Sequence, residues 1–204
     1  MSSLKSETLA ACQAALAQLG FVKRGGALLQ ERGCGASGWI GLNLATQGLP
    51  RSLKVNPVIG VQFSRLDDIQ RKLRDDVPNK PMPIISRPLG YLMPEKSFRS
   101  WEFLEDGDSE QVASSLADAV RKYGEPYITT YCNWANFSRD VDDDGFLMEH
   151  ERAKVLPIVY LINGKREEAR RIIEIELGRV ASSTDMYAES YRRFAEKFLI
   201  EVSM

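Results

Sequence analysis

The chain has a single histidine, His150, and only three cysteines, Cys12, Cys34 and Cys132. One histidine leaves little room for imidazole chemistry. A Ser-His-Asp or Cys-His apparatus would have to form around His150, and no G-x-S-x-G nucleophile elbow accompanies it. Lying between Glu149 and Glu151, it reads as a solvated surface residue. The cysteines are odd in number and lack metal-ligand spacing, which points to free thiols in a reducing, cytoplasmic setting. No apolar run approaches the roughly 20 residues needed to cross a bilayer. The opening MSSLKSETLAACQAALAQLG carries one lysine and is broken by Glu7 and Gln13, so it reads as an amphipathic helix rather than a secretory signal. Charge of one sign is also missing. With 27 Lys+Arg against 28 Asp+Glu, the formal net charge of −1 argues against nucleic acid or an anionic membrane as the main partner.

What is present is an ordinary folding composition. Over 204 residues, 44% are hydrophobic and 27% charged, enough for a sizeable core. Leu9, Cys12, Leu16 and Leu19 recur at helical spacing before Gly20. FVKRGGALLQER reads as a hairpin about Gly25-Gly26, and GWIGLNLA alternates like a strand. In LKVNPVIGVQF, Leu53, Val55, Ile59, Val61 and Phe63 share one face, and Pro57 suggests an edge strand or a bulge. Leu66, Ile69 and Leu73 mark a short helix; PIISRPLGYL and RSWEFL are two further strand candidates. Asp108 with Gln111 resembles a capping box opening a helix whose stripe is Val112, Leu116, Ala119, Val120 and Tyr123, with Gly124 and Pro126 expected to end it.

Beyond Tyr127 the strand pattern stops. Ala169, Ile172, Ile173, Leu177 and Val180 form one helical stripe, with Glu167 and Arg171 as an outer i, i+4 pair; Tyr187, Tyr191, Phe194 and Phe198 form another. INGKREEA between them resembles the turn of a helical hairpin. The fold expected is α+β: an antiparallel meander of about five strands flanked by helices, residues 1–124, and a helical half, residues 125–204, packed on it as one compact domain. The aromatic run Tyr127, Tyr131, Trp134 and Phe137 could line a pocket, though core is the commoner use of such residues.

The most pointed motif is acidic. Residues 140–151 match the calcium-loop pattern D-x-D-x-D-G-x5-E. The pattern would take ligands from Asp140, Asp142, Asp144, the Phe146 carbonyl and Glu151, with Met148 acting through water and Gly145 permitting the turn. The flanks fit less well. Arg139 and Asn136 are polar where the entering helix should be apolar, Arg152 follows Glu151, no second loop exists, and Pro157 falls inside the would-be exit helix. The twelve residues hold six acids and no lysine or arginine. A solvated acidic connection available to a partner is therefore preferred, through Asp142, Asp143, Asp144 and Glu149, with calcium as the alternative and otherwise no cofactor. Glycines also cluster in RGCGASGWIG, but no lysine-bearing phosphate loop follows and the run precedes a strand, so turn glycines are expected.

The succession LGFVKRGGALLQER, GWIGLNLAT, VNPVIGVQF and WEFLEDGD, with a following helix ending in YGEP, resembles bacterial domains of unknown function, over about residues 15–135. Some of these lie beside polymorphic toxins and are regarded as immunity proteins. The resemblance implies a helix, a strand meander and a helical tail, and a non-enzymatic chain that binds and neutralises a cognate toxin; it brings no functional residues with it.

Overall fold

The computed structural model describes residues 3–78, 80–143 and 145–203. The fold is α+β, built on a six-stranded antiparallel sheet. The chain divides into two compact units, Met1–Phe63 with Asn79–Asn133, and Ser64–Pro78 with Trp134–Met204.

The first unit begins with helix α1 (Leu4–Ala17), capped by the Ser3 hydroxyl, which accepts from the Ser6 amide. Leu4, Thr8, Cys12 and Leu16 are its buried stripe. Leu9, expected in that stripe, is half-buried. Gly20 takes φ +84° past the helix end, letting the Phe21 amide reach back to the Leu16 carbonyl. Strands β1 (Val22–Arg24), β2 (Ala27–Gly33), β3 (Ala36–Ala45) and β4 (Ser52–Phe63) follow as a meander. Gly25 and Gly26 join the first pair with φ of 56° and 91°, the left-handed sense that matches strand twist in two-residue hairpins.

Strand β4 is long enough to carry two partners on its far side. Strand β6 (Trp101–Leu104) lies along Ser52–Val55, and β5 (Ile85–Pro88) lies along Val58–Val61. Pro57 thus sits in a central strand, and its register with β3 is continuous, so no bulge forms. The Val61 carbonyl accepts from Ile84, which places odd-numbered backbone groups of β4 on the β5/β6 side. Pro57 faces the gap between those two strands, where no ladder asks for its missing N–H. At that point the strand is locally an edge.

Leu28, Ile40, Leu53, Val55, Ile59 and Phe103 make the buried face of the sheet, packed with Cys12 and Leu16 of α1 and with Leu116 of helix α3 (Ser109–Ala119). The Asp108 carboxylate caps α3, accepting from the Gln111 amide at 2.9 Å. Gly124 and Pro126 do not end this helical run. It passes through a π-turn at Val120–Gly124 directly into α4 (Glu125–Tyr131), whose first turn contains Pro126. Helix α4 seats closely on β3: a Cβ at Gly38 would lie 2.8 Å from the Ile128 side chain.

The second unit is helical: α2 (Ser64–Leu73), α5 (Trp134–Asp140), α6 (Glu149–Ile162), α7 (Arg166–Arg179) and α8 (Met186–Ser203). Residues 163–165 join α6 to α7, with Gly164 at φ +76°, forming the expected helical hairpin. Tyr187, Tyr191, Phe194 and Phe198 follow one another along α8 as tilted ring pairs with centroids 5.7–5.9 Å apart. Pro157 lies inside α6, as expected, without ending it. Its missing N–H orphans the Ala153 carbonyl one turn back, and the Tyr191 hydroxyl of α8 donates to that carbonyl at 3.4 Å. Among the described residues no helix is long and apolar enough to cross a membrane.

Candidate functional site

The acidic loop lies between α5 and α6. Its glycine, Gly145, has φ +85°, and the following helix starts at Glu149 with Met148 as its cap residue. A helix–loop–helix frame therefore exists around the motif. Asp144 lies outside the described residues. The other carboxylates of the calcium pattern are committed to protein partners. Asp140 pairs with the Arg139 guanidinium at 2.6 Å. Asp142 accepts from the Tyr160 hydroxyl at 2.8 Å, and burial together with this bond pushes the phenol up to about 12. Arg152 donates to the Asp142 and Val141 carbonyls at 2.5 and 3.4 Å, pinning the start of the loop to α6.

Glu151 is held hardest. Both its oxygens accept from Arg74, at 2.8 and 3.1 Å, and the same guanidinium forks onto both oxygens of Asp76 at 2.9 and 3.1 Å. With a further bond to Gln70, all five N–H donors of Arg74 are engaged, and its side chain is only 8% exposed. Burial alone would lower the Arg74 pKa; the bonds to Asp76 and Glu151 outweigh it and raise the pKa further. Beside this fork lies Lys154, 4% exposed, donating to Asp76 at 3.3 Å and Ser190 at 3.1 Å. Asp75 faces outward and binds Lys197 at 2.7 Å. The cluster ties residues 74–76 to α6 and α8. Nothing in the local sequence around the loop announces it, since its centre is 77 residues away.

The residues nominated for partner binding are thus differently placed. Asp143 is exposed and makes no ion pair among the described residues. Glu149 is 78% exposed and pairs with Arg179, which also binds Glu176. Among the described residues no three His, Cys, Asp or Glu side chains converge as a metal-ligand set. His150 is exposed beside Glu151.

A groove of about 420 Å³ opens between α6 and α7, and sequence reading did not find it. Its floor is apolar, from Ala153, Leu156, Ile172 and Ile175, and Ile175 is 61% exposed. Asp142, Glu149, Arg152, Tyr160, Glu168, Arg171 and Glu176 complete the wall. Ile172, expected in the core, is half-buried here; the buried positions of α7 are Ala169, Ile173 and Glu176. The expected Glu167–Arg171 pair does not form, and Arg171 lies on the groove instead.

The remaining motifs resolve structurally. Gly33, Gly35 and Gly38 stand at G-x-G-x-x-G spacing, but they form the β2–β3 turn and the start of β3, with Cys34 and Gly35 at φ 50° and 73°. No helix opens there to receive a phosphate. The aromatic run divides: Tyr127 lies edge-on to Tyr131 at 4.9 Å in the first unit, while buried Phe137 contacts Trp134 and Phe146 in the second. The three cysteines are free thiols; burial pushes Cys12 up to about 12 and Cys132 up to about 11, and Cys34 is exposed. Comparison of the chain with protein-family models, with curated proteins and with solved structures gave no match.

Proposed function

We propose that this chain is a non-enzymatic, cytoplasmic protein-binding domain whose partner presents a basic surface, as a nuclease toxin does to the immunity protein that occludes it. The observation that carries this reading is the anchored acidic loop. Arg152 and Tyr160 hold its backbone and Asp142 in place, while Asp143 projects without an ion-pair partner among the described residues. A negative patch fixed before encounter accelerates association with a positive partner and loses little order on binding. The carboxylates near it serve structural ion pairs with Arg74 and Arg139, an arrangement suited to holding a surface rather than to moving protons.

The test is affinity capture from the source cells with wild-type chain and with a variant in which Asp142, Asp143 and Asp144 become Asn and Glu149 becomes Gln. A partner recovered by the wild type at moderate salt and lost by the variant supports the reading. Equal recovery by both removes the loop from it.

A calcium-stabilised loop is the second reading, favoured by Gly145 and by the helix–loop–helix frame. It ranks lower because the residue that should grip calcium with two oxygens already gives both to Arg74.

A further inference from the structure

We propose that the groove between α6 and α7 receives an amphipathic helix of the partner protein, apolar along one face and cationic at one end. This rests on the protein-binding reading and names the contact that reading leaves open.

The geometry points to a helix. The groove follows two packed helices for the twelve residues from Glu149 to Tyr160, roughly 16 Å or three turns. Its apolar positions, 153 and 156 on one wall and 172 and 175 on the other, recur at three-residue intervals, the spacing that offers ridges to a third helix. The opposite side of the hairpin is already filled, since Ala169, Ile173 and Val180 are buried and both helices pack with α8. Leu156 and Ile172 continue as an apolar floor on the open side, and Ile175 stands 61% exposed beside them. An isoleucine so exposed beside an apolar floor widens the surface that the apolar face of a docked helix can cover.

Charge selects the occupant. Four carboxylates and two guanidiniums line the groove, and Arg179 at its edge reduces the negative excess from two to one. Arg179 pairs with Glu149 and Glu176 at one end. At the other end Glu168 has no ion-pair partner among the described residues. Arg152 is engaged by the loop carbonyls and by Asp142, Arg171 lies along the same wall, and Lys165 stands over the Tyr160 ring. A docked helix with lysine or arginine at the Glu168 end meets opposite charge; an acidic one meets repulsion.

Fluorescence anisotropy on the full chain tests this with three labelled synthetic peptides of about 18 residues. The first is an Ala/Gln helix with a leucine stripe and lysines at one end; the second replaces lysine by glutamate; the third scrambles the first. The first should bind at least about tenfold more tightly than the others. Ile175→Asp, at a 61%-exposed position and with its folding checked by circular dichroism, should weaken it by about tenfold or more. Glu168→Lys should weaken the lysine peptide and strengthen the glutamate one. Absence of binding by the first peptide up to about 1 mM, equal binding by the scramble, or an unaffected Ile175→Asp variant would each overturn the groove assignment. If neutralising Asp142 and Asp143 abolishes capture of the natural partner while Ile175→Asp does not, the acidic-loop reading survives and the groove falls. If Ile175→Asp alone abolishes it, the groove stands and the loop falls.

Discussion

Arg74 closes on Glu151 with two parallel hydrogen bonds, of 2.8 and 3.1 Å, between residues 77 apart in the sequence. The relationship gives one carboxylate a structural task at the position where the loop pattern assigns it a metal. A cation taking Glu151 would have to strip a largely buried guanidinium of two of its five bonds. Thermal melts in about 5 mM calcium and in chelator should therefore overlay within about 1 °C. Glu151→Gln should lower the midpoint by about 2–8 °C in both media, from a loss of about 1–3 kcal/mol. A wild-type melt that rises clearly with calcium would hand the loop to the metal.

The same guanidinium makes the fold sensitive to acid. Asp76 is held well below the usual carboxylate range, chiefly by its hydrogen bond from Arg74, against burial and with help from Lys154. Its folded pKa lies below its unfolded one, so the stability it supplies is complete above about pH 5 and fades as pH falls through 3.8 toward the folded value. Asp76→Asn should lower the urea midpoint at pH 7, and the gap from wild type should narrow below pH 4. A gap of constant size across that range would contradict the assignment.

Lys154 offers an independent check on the cluster. Asp76→Ala leaves this 4%-exposed ammonium with Ser190 and, among the described residues, no carboxylate within ion-pair distance. We expect a loss of about 2 kcal/mol, less than a fully buried pair would show because Asp76 is half exposed. Lys154→Met added to Asp76→Ala should recover part of that loss, whereas independent sites would simply add.

How much of this was legible in the sequence depends on the range of each interaction. Gly25-Gly26, the alternation through Ile40 and Ile59, and the Asp108 cap act over a few residues, and each was read correctly. Pro57 was read as an edge or a bulge and lies where its strand is locally an edge; Gly124 with Pro126 was read as a helix end, and the run continues through a π-turn; Pro157 lies inside α6 without ending it. The missing donors of Pro57 and Pro157 are made harmless by a gap between two partner strands and by a hydroxyl from α8. The acidic residues were legible as a motif. Their partners were not, because Arg74 and Tyr160 come from other elements. The groove was hidden for a similar reason: Ile172 and Ile175 look like any helical stripe until the open side of α7 is known.

The proline in α6 makes its compensation measurable. Tyr191→Phe should cost about 0.5–1 kcal/mol by leaving the Ala153 carbonyl without its donor. In a Pro157→Ala background the restored backbone N–H can serve that carbonyl, so the same change should cost much less. Chemical-denaturation midpoints for the four proteins of this cycle decide it, and equal costs in both backgrounds would show that the hydroxyl does not serve Pro157.

Gly38 tests how closely α4 seats on the sheet. Alanine there would bring a methyl within 2.8 Å of Ile128 Cγ2, on a fully buried, β-branched side chain with little freedom to rotate away. Overpacking of this kind costs about 1–3 kcal/mol, against a gain of about 0.5–1 kcal/mol from replacing a strand glycine. A net loss of about 1–2 kcal/mol is expected, with α4 displaced from β3. Ile128→Ala alone should be costlier, at about 2–5 kcal/mol, because it opens a cavity over β3. The two changes together should lose less than their sum, since the new methyl at residue 38 then enters the space the isoleucine vacated. Strict additivity in that cycle, measured by denaturant unfolding, would mean that the two side chains do not meet.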